Sequence, residues 1–293
     1  MKIGSRESKL AMRQTDMFVD AIQKQGCKEK FDIIGIKSLG DIDLTSSLDK
    51  MSNVGAFVRE LDEAILKKEI DISVNSLKDI PIDMQEGLVI GAIMRRNAPE
   101  DVILPCPLAQ LPEGATVGTA SVRRMSLLKD MRPDLKTKTV RGNIHTRLDK
   151  LDAGEFDALI LAKAGLDRMG IERPMYILDP KTFVPATAQG AIAVECREDD
   201  KKILEMLKLV DDKVTRECVT IERSIMKALG AGCSSPVGIN VRKLVKGFDV
   251  NAVSYAFTER PVRAEVTLPY DYKQEQIAAI ADYLKGNTKE LNI

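Results

Sequence analysis

The chain has 293 residues, with 44 Lys and Arg balanced by 44 Asp and Glu, one histidine, five cysteines and no tryptophan. A formal net charge of zero, with no basic tail and no aromatic-studded basic face, excludes a general nucleic-acid binder. No apolar run is long enough to span a bilayer and no signal-peptide pattern opens the chain, so a cytoplasmic protein of two or three domains is expected, with no membrane partner. Cys27, Cys106, Cys196, Cys218 and Cys233 are odd in number and scattered, which suits reduced thiols rather than a disulfide framework. His145 stands alone and no metal-ligand spacing occurs, so no metal is expected. No phosphate-loop or dinucleotide fingerprint signals a nucleotide cofactor.

In chain order, residues 2–8 (KIGSRES) read as a short strand entering a helix. Leu10, Ala11, Met17, Phe18, Ala21 and Ile22 recur at three- and four-residue spacing, and Gly26 ends the pattern. Arg6 and Ser8 sit in the strand-to-helix turn, where open sheets place ligand contacts; Ser8 reads equally as a plain helix cap. A second strand is expected at 31–37. Residues 38–56 are polar, small and aperiodic, and a loop of that length is a candidate lid. A helix follows at 57–68, with Phe57, Leu61 and Ile65 on one face. A buried strand at 71–75 then delivers Ser76, Leu77, Lys78 and Asp79 to its carboxyl end. Pro81 blocks continuation as a helix, so Lys78 and Asp79 form either an acid/base pair or a surface turn capped by Asp79.

Another strand is expected at 88–94, and a Pro-rich polar stretch at 95–113 places a first domain crossing near its start. From residue 115 the pattern restarts as strand, helix, strand, helix, with a further strand at 158–161 and a helix at 162–169 stopped by Gly170. Arg168, near that helix end, either complements the helix dipole or meets a ligand. Residues 183–190 (FVPATAQG) read as a second crossing into an apolar strand at 191–196. Helices are expected at 201–210 and 214–229. The loop 230–236 (GAGCSSP) then holds Cys233 outside any apolar run, where it is either a small buried residue or a thiol in chemical use. Residues 237–269 alternate like antiparallel strands with a turn at Lys246-Gly247, and a last helix carries Ile277, Ile280, Ala281 and Leu284. Alternating strands and helices imply mostly parallel sheets in two lobes, and a double crossing between lobes implies a cleft. The expected division is a discontinuous first lobe of 1–94 and 191–212, a second lobe of 95–190, and a small α+β domain of 213–293.

Positive charge is concentrated in residues 117–147, VGTASVRRMSLLKDMRPDLKTKTVRGNIHTR, with eight Lys and Arg against two Asp. Gly118, Thr119, Ala120 and Ser121 lie between a short apolar run and a helical segment, an order that leaves backbone N–H groups and the positive helix end free for an anion. Arg123 and Arg124 fall in the first helical turn, where the dipole disfavours cations unless an anion offsets them. Arg141-Gly142-Asn143 repeats the device before a helix carrying Arg147. The stretch is either an anion site or two solvated basic helix starts.

Taken together, IGSRESKLAMRQ, FVRELDEAIL with DISVNSLKDIP, VGTASVRR, VRGNIHTRLDKLDAGEFDALILAKAGLDRMG, PATAQGAIAVECR and ERSIMKALGAGCSSPVG resemble the porphobilinogen deaminase (hydroxymethylbilane synthase) family, in its order and over nearly the whole chain. The resemblance implies two periplasmic-binding-protein-like lobes with a C-terminal α+β domain. It implies a transferase that joins four porphobilinogen molecules head to tail with loss of ammonia, then frees hydroxymethylbilane by hydrolysis; three self-sufficient cores suit a monomer. It also implies a dipyrromethane primer held by a thioether to Cys233, Asp79 as the main catalytic group, and Arg6, Arg123, Arg124, Arg141, Arg147 and Arg168 holding acetate and propionate groups. Ser8, Gln14, Lys78, Thr119 and Ser121 are implied to line the same site. Val54, Asn75 and Ala188 stand where the family usually has Lys, His and Gly, which leaves the lid contact open and the cysteine, aspartate and arginines in place.

That chemistry accounts for the residue pattern. Each pyrrole unit brings two carboxylates, and a guanidinium matches a carboxylate bidentately in a charge-assisted pair of about 1.5–3 kcal/mol. Coupling places positive charge on pyrrole nitrogens, which a fixed carboxylate stabilises by accepting their N–H groups. A tethered primer makes each coupling intramolecular on one side.

Overall fold

The computed structural model describes residues 1–37, 58–232, 235–291 and 293; the candidate lid at 38–56, with Val54, and Cys233 lie outside the described residues. The chain divides into two compact units, Met1–Asn97 with Gly190–Glu217 and Ala98–Gln189 with Cys218–Ile293.

The elements begin with β1 (Lys2–Arg6), α1 (Lys9–Lys24), β2 (Asp32–Ile36), α2 (Arg59–Leu66), β3 (Ile72–Ser76) and β4 (Leu88–Ile93). After the first crossing come β5 (Asp101–Leu104), β6 (Thr116–Gly118), α3 (Val122–Met131), β7 (Lys136–Lys138), α4 (Ile144–Asp152), β8 (Ala158–Ala162), α5 (Lys163–Arg168) and β9 (Tyr176–Ile177). The chain returns through β10 (Ile192–Arg197) and α6 (Lys201–Leu207), then α7 (Lys213–Leu229). It ends with β11 (Val237–Leu244), β12 (Gly247–Ser254), β13 (Val262–Leu268) and α8 (Gln274–Leu284).

Unit 1 is built on a five-stranded sheet ordered β2-β1-β3-β10-β4. β1 pairs in parallel with β2 and β3, while β10 runs antiparallel to both β3 and β4. Four strands therefore point one way and the fifth, delivered by the returning chain without a helical crossover, points the other. Ser8 caps α1 by accepting the Ala11 N–H, and the three- and four-residue spacing turns Phe18 and Ile22 onto the sheet. Both are fully buried with Ile3, Ile72, Val74 and Val194, each contributing about 1.5–3 kcal/mol of burial.

Unit 2 repeats the plan with a sheet ordered β7-β6-β8-β5-β9. β6 pairs in parallel with β7 and β8, and β5 runs antiparallel to β8 and β9. β5 lies inside the Pro-rich stretch that the sequence reading left without a strand; its four residues are all buried and too few to show a period. The strands β11-β12-β13 form an antiparallel sheet. Val253 of β12 packs in one cluster with Val117, Phe183 and Val184, and the Ile239 N–H donates to the Pro185 carbonyl at 3.1 Å. Gly238 is required at this seam, because a Cβ there would sit 2.6 Å from the Val184 carbonyl oxygen.

Candidate functional site

In unit 2 the turn from β6 into α3 places Thr119, Ser121, Arg123 and Arg124 together. The Ser121 hydroxyl accepts the Arg124 N–H at 3.4 Å and caps α3, while the Thr119 hydroxyl accepts the Ser121 N–H at 3.2 Å. Arg123 and Arg124 are both buried, and both reach one carboxylate, Asp101, at the head of β5. Arg123 Nη2 donates to Asp101 Oδ2 at 2.6 Å, and Arg124 Nη2 to Oδ1 at 2.7 Å. The remaining Nη groups are held by carbonyls, Arg123 Nη1 by Val184 at 2.6 Å and Arg124 Nη1 by Ile160 at 3.0 Å. Neither Nε–H has an acceptor among the described residues, although both are buried. Burial alone would raise the Asp101 carboxyl, but the two guanidiniums outweigh it and hold the group below the usual carboxylate range. Burial pulls Arg123 down from its ordinary value, with Asp101 opposing.

The second helix start is built alike. Asn143 caps α4 by accepting the Thr146 N–H at 3.0 Å, and Arg147 Nε donates to the Gly142 carbonyl at 2.8 Å. Burial, then the positive charges of Arg124 and Arg141, lower Arg147 to about 10. Among the described residues no carboxylate forms an ion pair with it. Arg124 and Arg141 are thus each near enough to act on Arg147, and Asp101 is the carboxylate that Arg124 reaches. Arg168 ends α5, buried, and burial lowers it to about 10 against the opposing pull of Asp167.

In unit 1, parallel strands β1 and β3 end side by side. Arg6 closes β1 and Ser8 caps the next helix, while Lys78 and Asp79 occupy the 3-10 turn Leu77–Asp79 after β3. Gln14 Nε2 donates to Ser76 Oγ at 2.8 Å and ties α1 to that strand end. Behind it, Asn75 Nδ2 donates to the buried Glu195 carboxylate at 2.8 Å and to Ser73 Oγ at 3.0 Å. The structure thus places Arg6, Ser8, Gln14, Lys78 and Asp79 on unit 1, brings Thr119, Ser121, Arg123 and Arg124 together at one helix start of unit 2 with Arg141 and Arg147 at the next, and sets Arg168 of the same unit at the end of α5, beside Asp167. Sequence reasoning missed Asp101 and Gln189. Asp101 lies 22 residues from Arg123 and Gln189 lies 88 from Asp101, so no local spacing links them.

Among the described residues no group of three metal-ligating side chains occurs and no helix is long and apolar enough to cross a membrane. Guanidiniums at two helix starts, buried at the first and part-buried at the second, outnumber the one carboxylate they reach, and give this α/β protein a site of net positive charge. The comparisons with known proteins make this specific. A family model described as "Porphobilinogen deaminase, dipyromethane cofactor binding domain" matches residues 1–205. A porphobilinogen deaminase of Bacillus mycoides (strain KBAB4) is 39% identical over 295 residues, 99% of this chain and 96% of the relative. One from Bacillus thuringiensis (strain Al Hakam) is 44% identical over 240 residues, 80% of this chain and 78% of the relative. The solved structure of the methionine binding protein MetQ is 10% identical with a TM-score of 0.45, covering 76% of this chain and 94% of that one. The chain belongs to the porphobilinogen deaminase family. It is an enzyme of tetrapyrrole synthesis with a dipyrromethane cofactor binding domain.

Proposed function

We propose that this chain joins four porphobilinogen units head to tail with release of ammonia, on a dipyrromethane primer attached by a thioether to Cys233, and frees hydroxymethylbilane by hydrolysis. The observation that carries the reading is the cluster at the two helix starts of unit 2, where the buried Arg123 and Arg124 share the one carboxylate of Asp101 and the part-buried Arg147 has no carboxylate paired to it among the described residues. Such a cluster favours an added carboxylate, because an incoming anion relieves the repulsion and satisfies orphaned donors. The Nε–H groups of Arg123 and Arg124, without an acceptor among the described residues, fit the same ligand. When bound, the dipyrromethane supplies carboxylates to these arginines and a terminal pyrrole carbon for the coupling.

The chain's own residues then divide the work. Arg123, Arg124, Arg141, Arg147 and Arg168, with Arg6, bind acetate and propionate groups and orient the rings. Ser8 and Gln14 on unit 1, and Thr119 and Ser121 on unit 2, add neutral hydrogen bonds. Asp79 accepts pyrrole N–H groups, stabilises the positive charge that appears on nitrogen, and moves the proton lost from the coupled carbon. Lys78, beside it, meets a primer carboxylate. The C-terminal α+β region, 213–293, presents Cys233, and the enzyme works as a cytoplasmic monomer. The free thiols of Cys27, Cys106, Cys196 and Cys218 support that compartment.

The test is the intact mass of the denatured protein beside a Cys233→Ser variant, before and after incubation with porphobilinogen. Extra mass equal to a dipyrromethane on the parent alone is expected. No added mass after incubation would leave an anion-binding protein without chemistry.

A further inference from the structure

We propose that Asp101 is a positioning residue for the ligand-holding arginines, and that Gln189 fixes Asp101 in turn. The proposal rests on the reading that Arg123 and Arg124 bind primer carboxylates.

Asp101 is fully buried and uses both oxygens. Oδ2 accepts from Arg123 at 2.6 Å; Oδ1 accepts from Arg124 at 2.7 Å and from Gln189 Nε2 at 2.8 Å. With its second Nη group on a carbonyl, each guanidinium is held at two nitrogens, which fixes both the position and the plane of the group. A long side chain free in solution loses rotamer entropy when it meets a ligand; these two have lost it already, so the loss does not oppose binding. A purely structural ion pair matches one acid to one base. Here one acid serves two bases, so positive charge remains after both are oriented, and each Nε–H is left without an acceptor among the described residues.

Gln189 extends the arrangement. Its amide nitrogen also donates to the Pro99 carbonyl at 2.7 Å, two residues before Asp101. Gln189 is the last residue of unit 2 before the chain leaves it, and Pro99 is the second after the chain enters. The two ends of segment 98–189 are therefore joined at the carboxylate that holds the arginines. A neutral amide does this without cancelling the remaining positive charge.

The experiment follows primer loading of full-length apoprotein by intact mass, as a function of porphobilinogen concentration, for the parent, Asp101→Asn and Arg124→Gln. Misplaced arginines raise the half-saturating concentration about tenfold in Asp101→Asn, with the maximal loading rate within about threefold of the parent. A merely structural role lowers the competent fraction and hence the maximal rate, and leaves the half-saturating concentration alone; that result overturns the proposal. Parental behaviour of Asp101→Asn beside a shifted Arg124→Gln also overturns it. A parental half-saturation in Arg124→Gln removes the reading on which the proposal rests. Should Asp101→Asn fail to fold, Gln189→Met, which removes the donor to Oδ1 at unchanged charge, is expected to shift half-saturation about threefold. No shift in a folded Gln189→Met would then count against the proposal.

Discussion

The two five-stranded sheets share one plan and differ in charge. Each has a parallel trio flanked by a reversed strand in fourth place, and in each a serine caps the helix after the middle strand of that trio. At these matching strand ends unit 1 places Arg6, Lys78 and the carboxylate Asp79, whereas unit 2 concentrates buried arginines around Asp101. The contrast recurs in the cores. Asp101 in unit 2 has two guanidiniums and stays ionised; burial, then the charge of Glu60, push Asp62 in unit 1 up to about 7. One topology has been given two electrostatic tasks, and on the proposed reading unit 2 holds carboxylates while unit 1 carries the proton chemistry.

The largest effects test that division directly. Asp79→Asn is expected to lower kcat by a factor of about 10²–10⁴, the range for a lost acid/base group, with KM little changed. Arg147→Leu removes a binding contact and should lower kcat/KM about 10- to 100-fold through KM, as loss of a charge-assisted hydrogen bond implies. Steady-state kinetics on both variants decide it; an Asp79→Asn enzyme within tenfold of the parent would return Asp79 to the role of a turn cap.

A smaller effect concerns Asp62 of unit 1. Asp62 is buried, and its Oδ1 has no hydrogen-bond partner among the described residues. Its folded value of about 7 lies above the ordinary 3.8, so the folded state binds the proton more tightly. The stability it contributes is full below about pH 4, declines as pH rises to about 7, and stays lost above that. Asp62→Asn should therefore flatten this slope and raise stability at about pH 8 by about 1–3 kcal/mol. Urea unfolding at a series of pH values measures it, and an unchanged slope would place the charged form in a better-solvated setting.

The smallest effect belongs to unit 2. Ala188 has a φ of 59°, a left-handed conformation that strains a residue with a Cβ, and Glu222 Oε2 accepts its N–H at 2.6 Å. The other oxygen of Glu222 accepts the Val241 N–H at 2.8 Å, so the helix α7 pins this turn to β11. Ala188→Gly relieves the strain but loses a buried methyl, for a net gain below about 1 kcal/mol. If the units unfold in separate transitions, Asp62→Asn should move one midpoint and Ala188→Gly the other. Movement of both by either substitution would show that the units unfold together.

How much of this was legible in the sequence depended on periodicity and on local chemistry. Helix α1 carries two apolar anchors on one face, and its boundaries follow from Ser8 and Gly26. The capped starts of α3 and α4 were visible because Ser121 and Asn143 stand directly before helical segments. The short strand β5 was not visible, and with it went Asp101, because four buried residues show no alternation. The common plan of the two sheets was also hidden. It is a relation of strand order, and backbone pairing preserves it while the side chains differ throughout.

The reversed strand of unit 1 has a consequence for synthesis. β4 (Leu88–Ile93) has β10 as its sheet neighbour, and β10 begins at Ile192, about 100 residues later in translation. At about 5–20 residues per second, β4 leaves the ribosome about 5–20 s before its neighbour exists. Every strand of the sheet built on β5 to β9 is made within that interval. Of the two five-stranded sheets, the one that starts first is thus the second to have all its strands, and the nascent protein must keep an apolar sheet edge from other chains until the ribosome has passed residue 197.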